Sequence, residues 1–141
     1  MFQHKVESLC RLADAWNSRD VETFVARCDP RVEIHPAIAE LGAAHYHGHA
    51  GVRDWFRDME DACGGTFRIE PEAFFAMGER TLAFHTRHGR GQRSGAEVAM
   101  PSAGVIGWRD DLVVYYKTYV HRPDALSDLG VSENELEPIE P

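Results

Sequence analysis

The spacing of apolar residues changes once along this chain, near residue 65, and that change limits the folds it can adopt. Before it, apolar side chains recur every three to four residues, as Val6, Leu9, Ala13 and Trp16 do, which predicts amphipathic helices. After it, runs rich in β-branched and aromatic residues are separated by short turns, which predicts antiparallel strands. Helices followed by such strands are typical of an α+β fold, with the helices packed on one face of a curved sheet.

The predicted elements have cap or turn residues at their ends. Asp20 suits a helix N-cap, Asp29-Pro30 ends the second helix, and Gly130 caps the last one. The predicted helices cover residues 3–18, 21–28, 48–63 and 123–129, and the predicted strands cover residues 31–36, 66–76, 79–90, 95–108 and 112–120.

Length and charge narrow the class of protein. With 141 residues, the chain is expected to form one domain, residues 1–132, followed by an acidic tail, residues 133–141, that is solvated and loosely ordered. The net charge of −8 argues against nucleic acid or an anionic membrane as a partner. No apolar run is long enough for a membrane span. The three cysteines are assigned to the apolar stripes of helices, which favours reduced thiols and a cytoplasmic location.

A strand that ends beside a loop carries the first candidate site residues. Alternation puts Val32 and Ile34 on one side of this strand and Glu33 and His35 on the other. Pro36 cannot continue the strand, so His35 is displayed at a strand end, where binding and catalytic groups are often found. A neutral imidazole can accept and return a proton near pH 7, and Glu33 could orient its ring. Alternatively, Glu33 simply pairs with an arginine such as Arg31 or Arg87.

The loop that follows contains a tyrosine and three histidines in alternation, His45, His47 and His49. Imidazoles are common zinc ligands, but no cysteine or carboxylate follows at ligand spacing, so neither a metal nor another cofactor is predicted. Tyr46 is a candidate hydrogen-bond donor to a substrate oxygen.

Three segments resemble the nuclear-transport-factor-2-like superfamily, in particular its SnoaL-like polyketide cyclase branch. They are AWNSRDVETFVARCDPRVEIHP, YHGHAGVRDWF and WRDDLVVYYKTYVHRPDALSDLGV. The resemblance implies a cone-shaped fold, in which a strongly bent, mostly antiparallel sheet wraps around the N-terminal helices and leaves one apolar pocket. Proteins of this kind commonly form dimers. They include isomerases, cyclases, dehydratases and modules that bind without catalysis.

The resemblance also implies which residues face that pocket. His35 takes the place of the isomerases' catalytic aspartate, while their two oxyanion donors fall near Arg11 and Gly104, which cannot replace them. The predicted catalytic residues are therefore His35, His85, Tyr46 and Glu33. The predicted ligand-binding residues are Trp16, Trp55, Phe56, Arg87, Val98, Met100, Tyr116 and Thr118.

These residues suggest a cofactor-free isomerase, cyclase or dehydratase that moves a proton on a small hydrophobic carbonyl compound, cyclic or polyketide-like. The alternative is a small-ligand-binding or dimerisation module of the same fold. A homodimer is expected, with Tyr115, Tyr119, Trp108 and Phe84 on the outward face of the sheet as its interface.

Overall fold

The computed structural model describes residues 2–36, 45–63, 67–90 and 97–139. Its helices are α1 (Phe2–Asn17), α2 (Val21–Ala26), α3 (Gly48–Cys63) and α4 (Arg122–Leu129), with a 3-10 turn at Glu133–Glu135. Its strands are β1 (Cys28–His35), β2 (Tyr46–His47), β3 (Arg68–Met77), β4 (Arg80–Arg90), β5 (Glu97–Arg109) and β6 (Leu112–Tyr119). The predicted α+β class and the order of the long elements are confirmed.

The strands of the described chain form one sheet in the order β2-β1-β6-β5-β4-β3. Only β1 and β6 among them run parallel, because α3 and the strands between them provide the long crossover that this pairing needs. Register shifts interrupt the ladders between Gly107 and Trp108 and between Pro71 and Ala73. Such bulges bend a strand and change which side chains face each side.

Two apolar cores lie on opposite faces of this sheet. On the face that we call inner, the larger core joins α1, α2 and α3 to side chains such as Val32, Ile34 and Ile106. On the outer face, the smaller core joins α4 to Leu82, Phe84 and Val105. Helices thus cover both faces, and the inner core leaves the space in which the candidate site lies.

Several details differ from the predictions. β1 begins at Cys28, so Cys28 is a buried strand residue and not part of a helix, whereas Cys10 is exposed on α1. The side chain of Cys63 lies outside the described residues. The loop was expected to be irregular, but Tyr46 and His47 pair with β1 as a short edge strand.

The C-terminal segment, which was expected to be solvated and loosely ordered, packs against the domain. Leu136 packs against the outer core, and the backbone N–H of Ile139 donates to the carbonyl of Phe74 at 2.8 Å. Pro138 forms an isolated bridge with Phe75. These contacts place part of the acidic segment along the edge strand β3. They pair backbone groups that an uncovered edge strand would leave without partners. Among the described residues, no helix combines the length and the apolar character required to cross a membrane.

Candidate active site

A mostly apolar cavity lies between the inner face of the sheet and helices α1, α2 and α3. Its volume, including the open mouth, is about 830 Å³. A mostly apolar cavity with a few polar groups is the usual form of a site for a small organic molecule. The lining residues come from α1, α2, α3, the strands β3 to β6 and the segments beside them: Leu9, Leu12, Ala13, Trp16, Phe24, Pro36, Trp55, Met59, Phe67, Ile69, Pro71, Phe74, Ala83, Phe84, His85, Arg87, Ser102, Ile106, Tyr116, Thr118, Tyr119 and Val120.

The polar centre of this cavity is a pair formed by His85 and Ser102. The two residues are opposite each other in the β4–β5 ladder, and both are buried, at 4% and 1% exposed. The Oγ of Ser102 lies 2.5 Å from Nδ1 of His85 and 3.4 Å from the His85 carbonyl oxygen. The other ring nitrogen, Nε2, is buried and has no hydrogen-bond partner among the described residues. The serine therefore holds one side of the ring and leaves the other for a ligand.

Burial keeps the His85 imidazole neutral. It lowers the pKa of His85 to about 4, and the charges of Arg87 and Arg122 add to this effect. Glu72 opposes the shift but is outweighed. At neutral pH the ring is thus uncharged, with one nitrogen able to accept and one able to donate a hydrogen bond.

Arg122 supports the histidine–serine pair from the start of α4. Its Nε donates to the carbonyl oxygen of Ser102 at 3.1 Å, and its Nη2 donates to that of His85 at 3.0 Å. Nη2 also bonds Glu72 at 2.8 Å, and the guanidinium lies 4.6 Å from the centre of the Phe84 ring. One planar side chain thus ties together the two strands that carry the pair, which is the fork geometry that arginine provides and lysine does not.

We expect Arg122→Met to lower the free energy of unfolding by about 2 kcal/mol, because it removes charged donors from the backbone carbonyl oxygens of Ser102 and His85. Urea unfolding would measure this loss. Arg53→Met is the matched control, since Arg53 also makes two bonds, to Glu22, but both side chains are exposed and the loss should be clearly smaller. Equal losses in the two variants would contradict a structural role for the Arg122 contacts.

Six of the predicted site residues line the cavity. Besides His85, they are Trp16, Trp55, Arg87, Tyr116 and Thr118. Tyr116 lies over Gly104, where an added Cβ would come within 3.2 Å of the tyrosine hydroxyl. Gly104 therefore makes room for this ring. Among the lining residues Arg87 carries the only cationic group, and none of them has a carboxylate.

The prediction that His35 faces this cavity is wrong. His35 lies on the outer face, where its ring centre is 4.0 Å from that of His45 and 5.1 Å from that of Tyr115. The reason is the alternation of β1: the apolar Val32 and Ile34, both fully buried, take the inner face, so their polar neighbours must point away. Burial and the nearby His45 lower the pKa of His35.

Glu33 and Tyr46 are also not part of the cavity. Glu33 accompanies His35 on the outer face, with its Oε1 3.8 Å from His35 Nε2 and 3.7 Å from His47 Nδ1. Within the described residues it forms ion pairs with these imidazoles and with no arginine. Tyr46 is buried in the inner core, but its hydroxyl donates to Asp58 at 2.7 Å on α3. Burial and that hydrogen bond raise the pKa of Tyr46 to about 12, and the bond engages the hydroxyl as a structural contact.

Three predicted wall residues take other positions. Phe56 is buried against Trp16 and Phe24 behind the cavity wall. Val98 and Met100 are exposed, at 43% and 39%, because β5 extends past the cavity before it reaches Ser102. Alternation assigned their side of the strand, but it could not show where along the strand the cavity ends.

The predicted dimer face is partly occupied within the chain. Phe84 and Tyr119 belong to the outer core beneath α4, and the Tyr119 hydroxyl donates to Asp128 at 2.7 Å. Trp108 packs against the inner core, because alternation along β5 puts it on the same side as Ile106. Of the predicted set, only Tyr115 lies on the part of the outer face that α4 leaves uncovered.

No group of three or more histidine, cysteine, aspartate or glutamate side chains in the described part of the chain is arranged to hold a metal ion. Of the three loop histidines, His49 bonds the carbonyl of Cys28 at 2.8 Å, whereas the other two lie near His35 and Glu33.

The residues that sequence reasoning missed are Ser102 and Arg122. Neither has a local motif, and only the strand register and the position of α4 bring them to His85.

Comparison with known proteins supports the fold. A family model described as SnoaL-like domain matches residues 9–116. A search of curated proteins finds no significant match. TerC co-crystallised with polyporic acid has 22% sequence identity and a TM-score of 0.74, with 89% of this chain and 97% of that chain covered.

Two further structures carry names that refer to a reaction. A protein from Jannaschia sp. CCS1, provisionally named as a SnoaL-like polyketide cyclase, has 13% identity and a TM-score of 0.70, with 92% of this chain and 94% of that chain covered. A protein from Bacillus subtilis, provisionally named as an isomerase, has 18% identity and a TM-score of 0.68, with 93% and 96% covered. At such identities the likeness shows a common fold and not a common reaction.

Proposed function

This chain belongs to the SnoaL-like domain family, as its motifs predicted, and we propose that it is an enzyme of proton transfer. The substrate is a small hydrophobic carbonyl compound, cyclic or polyketide-like, held in the inner cavity. The reaction is an isomerisation, cyclisation or dehydration without a bound cofactor. The observation that carries this proposal is the buried His85 beside the cavity, with one nitrogen held by Ser102 and the other without a hydrogen-bond partner in the described part of the chain.

His85 is the acid and base of this proposal. In the tautomer with the proton on Nδ1, the ring donates to Ser102 Oγ, and the serine hydroxyl donates to the His85 carbonyl oxygen. Nε2 then presents its lone pair to the ligand and takes a proton from the carbon next to the carbonyl. The same nitrogen returns the proton to another position, so the protein ends unchanged. Because burial favours the neutral ring, the protonated state is short-lived.

A non-catalytic module that binds the same class of ligand is the second candidate. It is favoured by the absence of any carboxylate among the lining residues described above, because a carboxylate would stabilise a protonated His85. The low pKa of His85 points the same way, since a weak base removes a proton slowly. The two candidates share the cavity and differ only in turnover.

One experiment separates them. The purified protein is incubated in D₂O with 2-tetralone, a hydrophobic cyclic ketone, and loss of the protons next to the carbonyl is followed by NMR. An enzyme of proton transfer is expected to accelerate this exchange by ~100-fold or more over buffer, the lower end of what a positioned acid or base contributes. Binding of 2-tetralone is measured in parallel by calorimetry. Binding without accelerated exchange would favour the non-catalytic module, and neither binding nor exchange would contradict both.

A further inference from the structure

The two tryptophans that line the cavity have no hydrogen-bond partner for their indole N–H groups among the described residues. Trp16 on α1 and Trp55 on α3 are 5% and 6% exposed, and their ring centres lie 4.5 Å apart. An indole N–H can only donate, and it usually has an acceptor when it is buried. Two such groups side by side therefore call for an explanation.

The third tryptophan of the chain shows the ordinary arrangement. The Nε1 of Trp108 donates to the hydroxyl of Thr81 at 3.0 Å, although Trp108 is less buried than the other two. The fold can thus supply an acceptor to an indole where one is needed. Trp16 and Trp55 instead pack mainly against Phe24, Phe56 and Phe67. Trp55 also lies beside Tyr116, with ring centres 6.1 Å apart, but its indole N–H makes no hydrogen bond to that hydroxyl. Both side chains also line the cavity.

The charge of the cavity indicates what kind of acceptor fits. Its described lining contains the guanidinium of Arg87 and no carboxylate, and His85 is neutral. Hydrogen bonds from N–H donors to an ionised oxygen are stronger than those to a neutral one. In an apolar surrounding, an oxygen that carries negative charge therefore gains most from these donors.

From this arrangement we infer that the indole N–H groups of Trp16 and Trp55 bind an oxygen of the ligand, and that the ligand class is a ring compound with an enolate, phenolate or strongly polarised carbonyl oxygen. This inference rests on the proposed function in that it uses the same cavity. There the two donors would hold the oxygen that gains negative charge when His85 takes a proton from carbon. The donors differ from those of the isomerases, whose positions Arg11 and Gly104 occupy here.

Calorimetric binding of two probes tests the inference without requiring turnover. One probe is 2-hydroxy-1,4-naphthoquinone, which is an anion at pH 7, and the other is tetralin, a ring compound of similar shape without oxygen. Trp16→Phe and Trp55→Phe each keep an aromatic ring and remove the donor. Each is expected to weaken binding of the anion by ~10-fold or more, as the loss of a bond to a charged group does, while binding of tetralin changes less than about threefold. The control Trp108→Phe should change neither.

Losses of equal size for both probes, or no loss for the anion, would overturn the inference. Thermal unfolding of each variant identifies any that fails to fold. A second measurement on the unaltered protein remains decisive in that case: the NMR signals of two indole N–H protons should move downfield on addition of the anion, and the third should stay. Accelerated exchange of 2-tetralone with no tryptophan effect would leave the proposed function intact and reject the inference alone.

Discussion

His85→Phe is expected to slow the protein-catalysed exchange of 2-tetralone protons by about 100-fold or more, the usual contribution of a positioned acid or base. Phenylalanine fills a similar volume and offers no nitrogen, so the loss reports on the chemistry and not on an enlarged cavity. Exchange rates in D₂O, followed by NMR at pH 7 and at saturating ketone, measure the effect. Ketone binding should fall much less, because most of the lining is apolar.

Two other histidines serve as controls for this variant. His88 lies on the same strand, with its Nε2 3.1 Å from Glu70, and does not line the cavity. His35 lies on the outer face of the sheet. His88→Phe and His35→Phe should both leave the exchange rate within about twofold of the unaltered protein, because neither ring is within reach of the ligand. A loss in His35→Phe as large as in His85→Phe would contradict the assignment of the active face.

Acid should weaken the fold through the same residue. In the unfolded chain His85 takes up a proton near pH 6.5, whereas burial lowers its pKa in the folded state to about 4. Between these values the unfolded state binds more protons, so the free energy of unfolding falls as the pH is lowered through this range. The full contribution is present above pH 6.5, and about 3 kcal/mol is lost by pH 4, at 1.36 kcal/mol for each unit of pKa difference.

Urea unfolding at several pH values between 7 and 4 measures this loss, and His85→Gln isolates it. Glutamine can still bond Ser102 but does not titrate. Over this pH range the free energy of unfolding of the variant should therefore fall by about 3 kcal/mol less than that of the unaltered protein. The other histidines and the carboxylates act alike in both proteins and cancel in the comparison. Parallel curves for the two proteins would show that His85 is protonated as easily in the folded state as in the unfolded one.

Local sequence patterns predicted most of the fold because its elements are strongly periodic. The change of period near residue 65 predicted the α+β class, Asp20 was correctly identified as a cap, and Gly130 ends α4 in the left-handed conformation as expected. The weakest predictions concern β2, which has two residues, and the start of β1. A strand of two residues has no period to detect, and it exists only because β1 offers an edge.

The placement of His35 shows where a family alignment misled. The alternation of β1 divided Glu33 and His35 from Val32 and Ile34 correctly. The same pattern also implied that the apolar pair faces the helices, and the alignment of His35 with a catalytic aspartate overrode it. Apolar burial of two full side chains is worth several kcal/mol, and a register that exposed them would lose it.

What the sequence by itself determined is the order of elements, the fold class and the two sides of each strand, because these depend on the residues within a segment. Tertiary structure alone decided which strands meet, where the bulges fall and where the cavity ends. Ser102 contacts His85 only through the β4–β5 register, and Ile69 and Phe74 share the inner face only because a bulge between Pro71 and Ala73 separates them. Pairing across strands depends on contacts between distant segments, so no local pattern contains it.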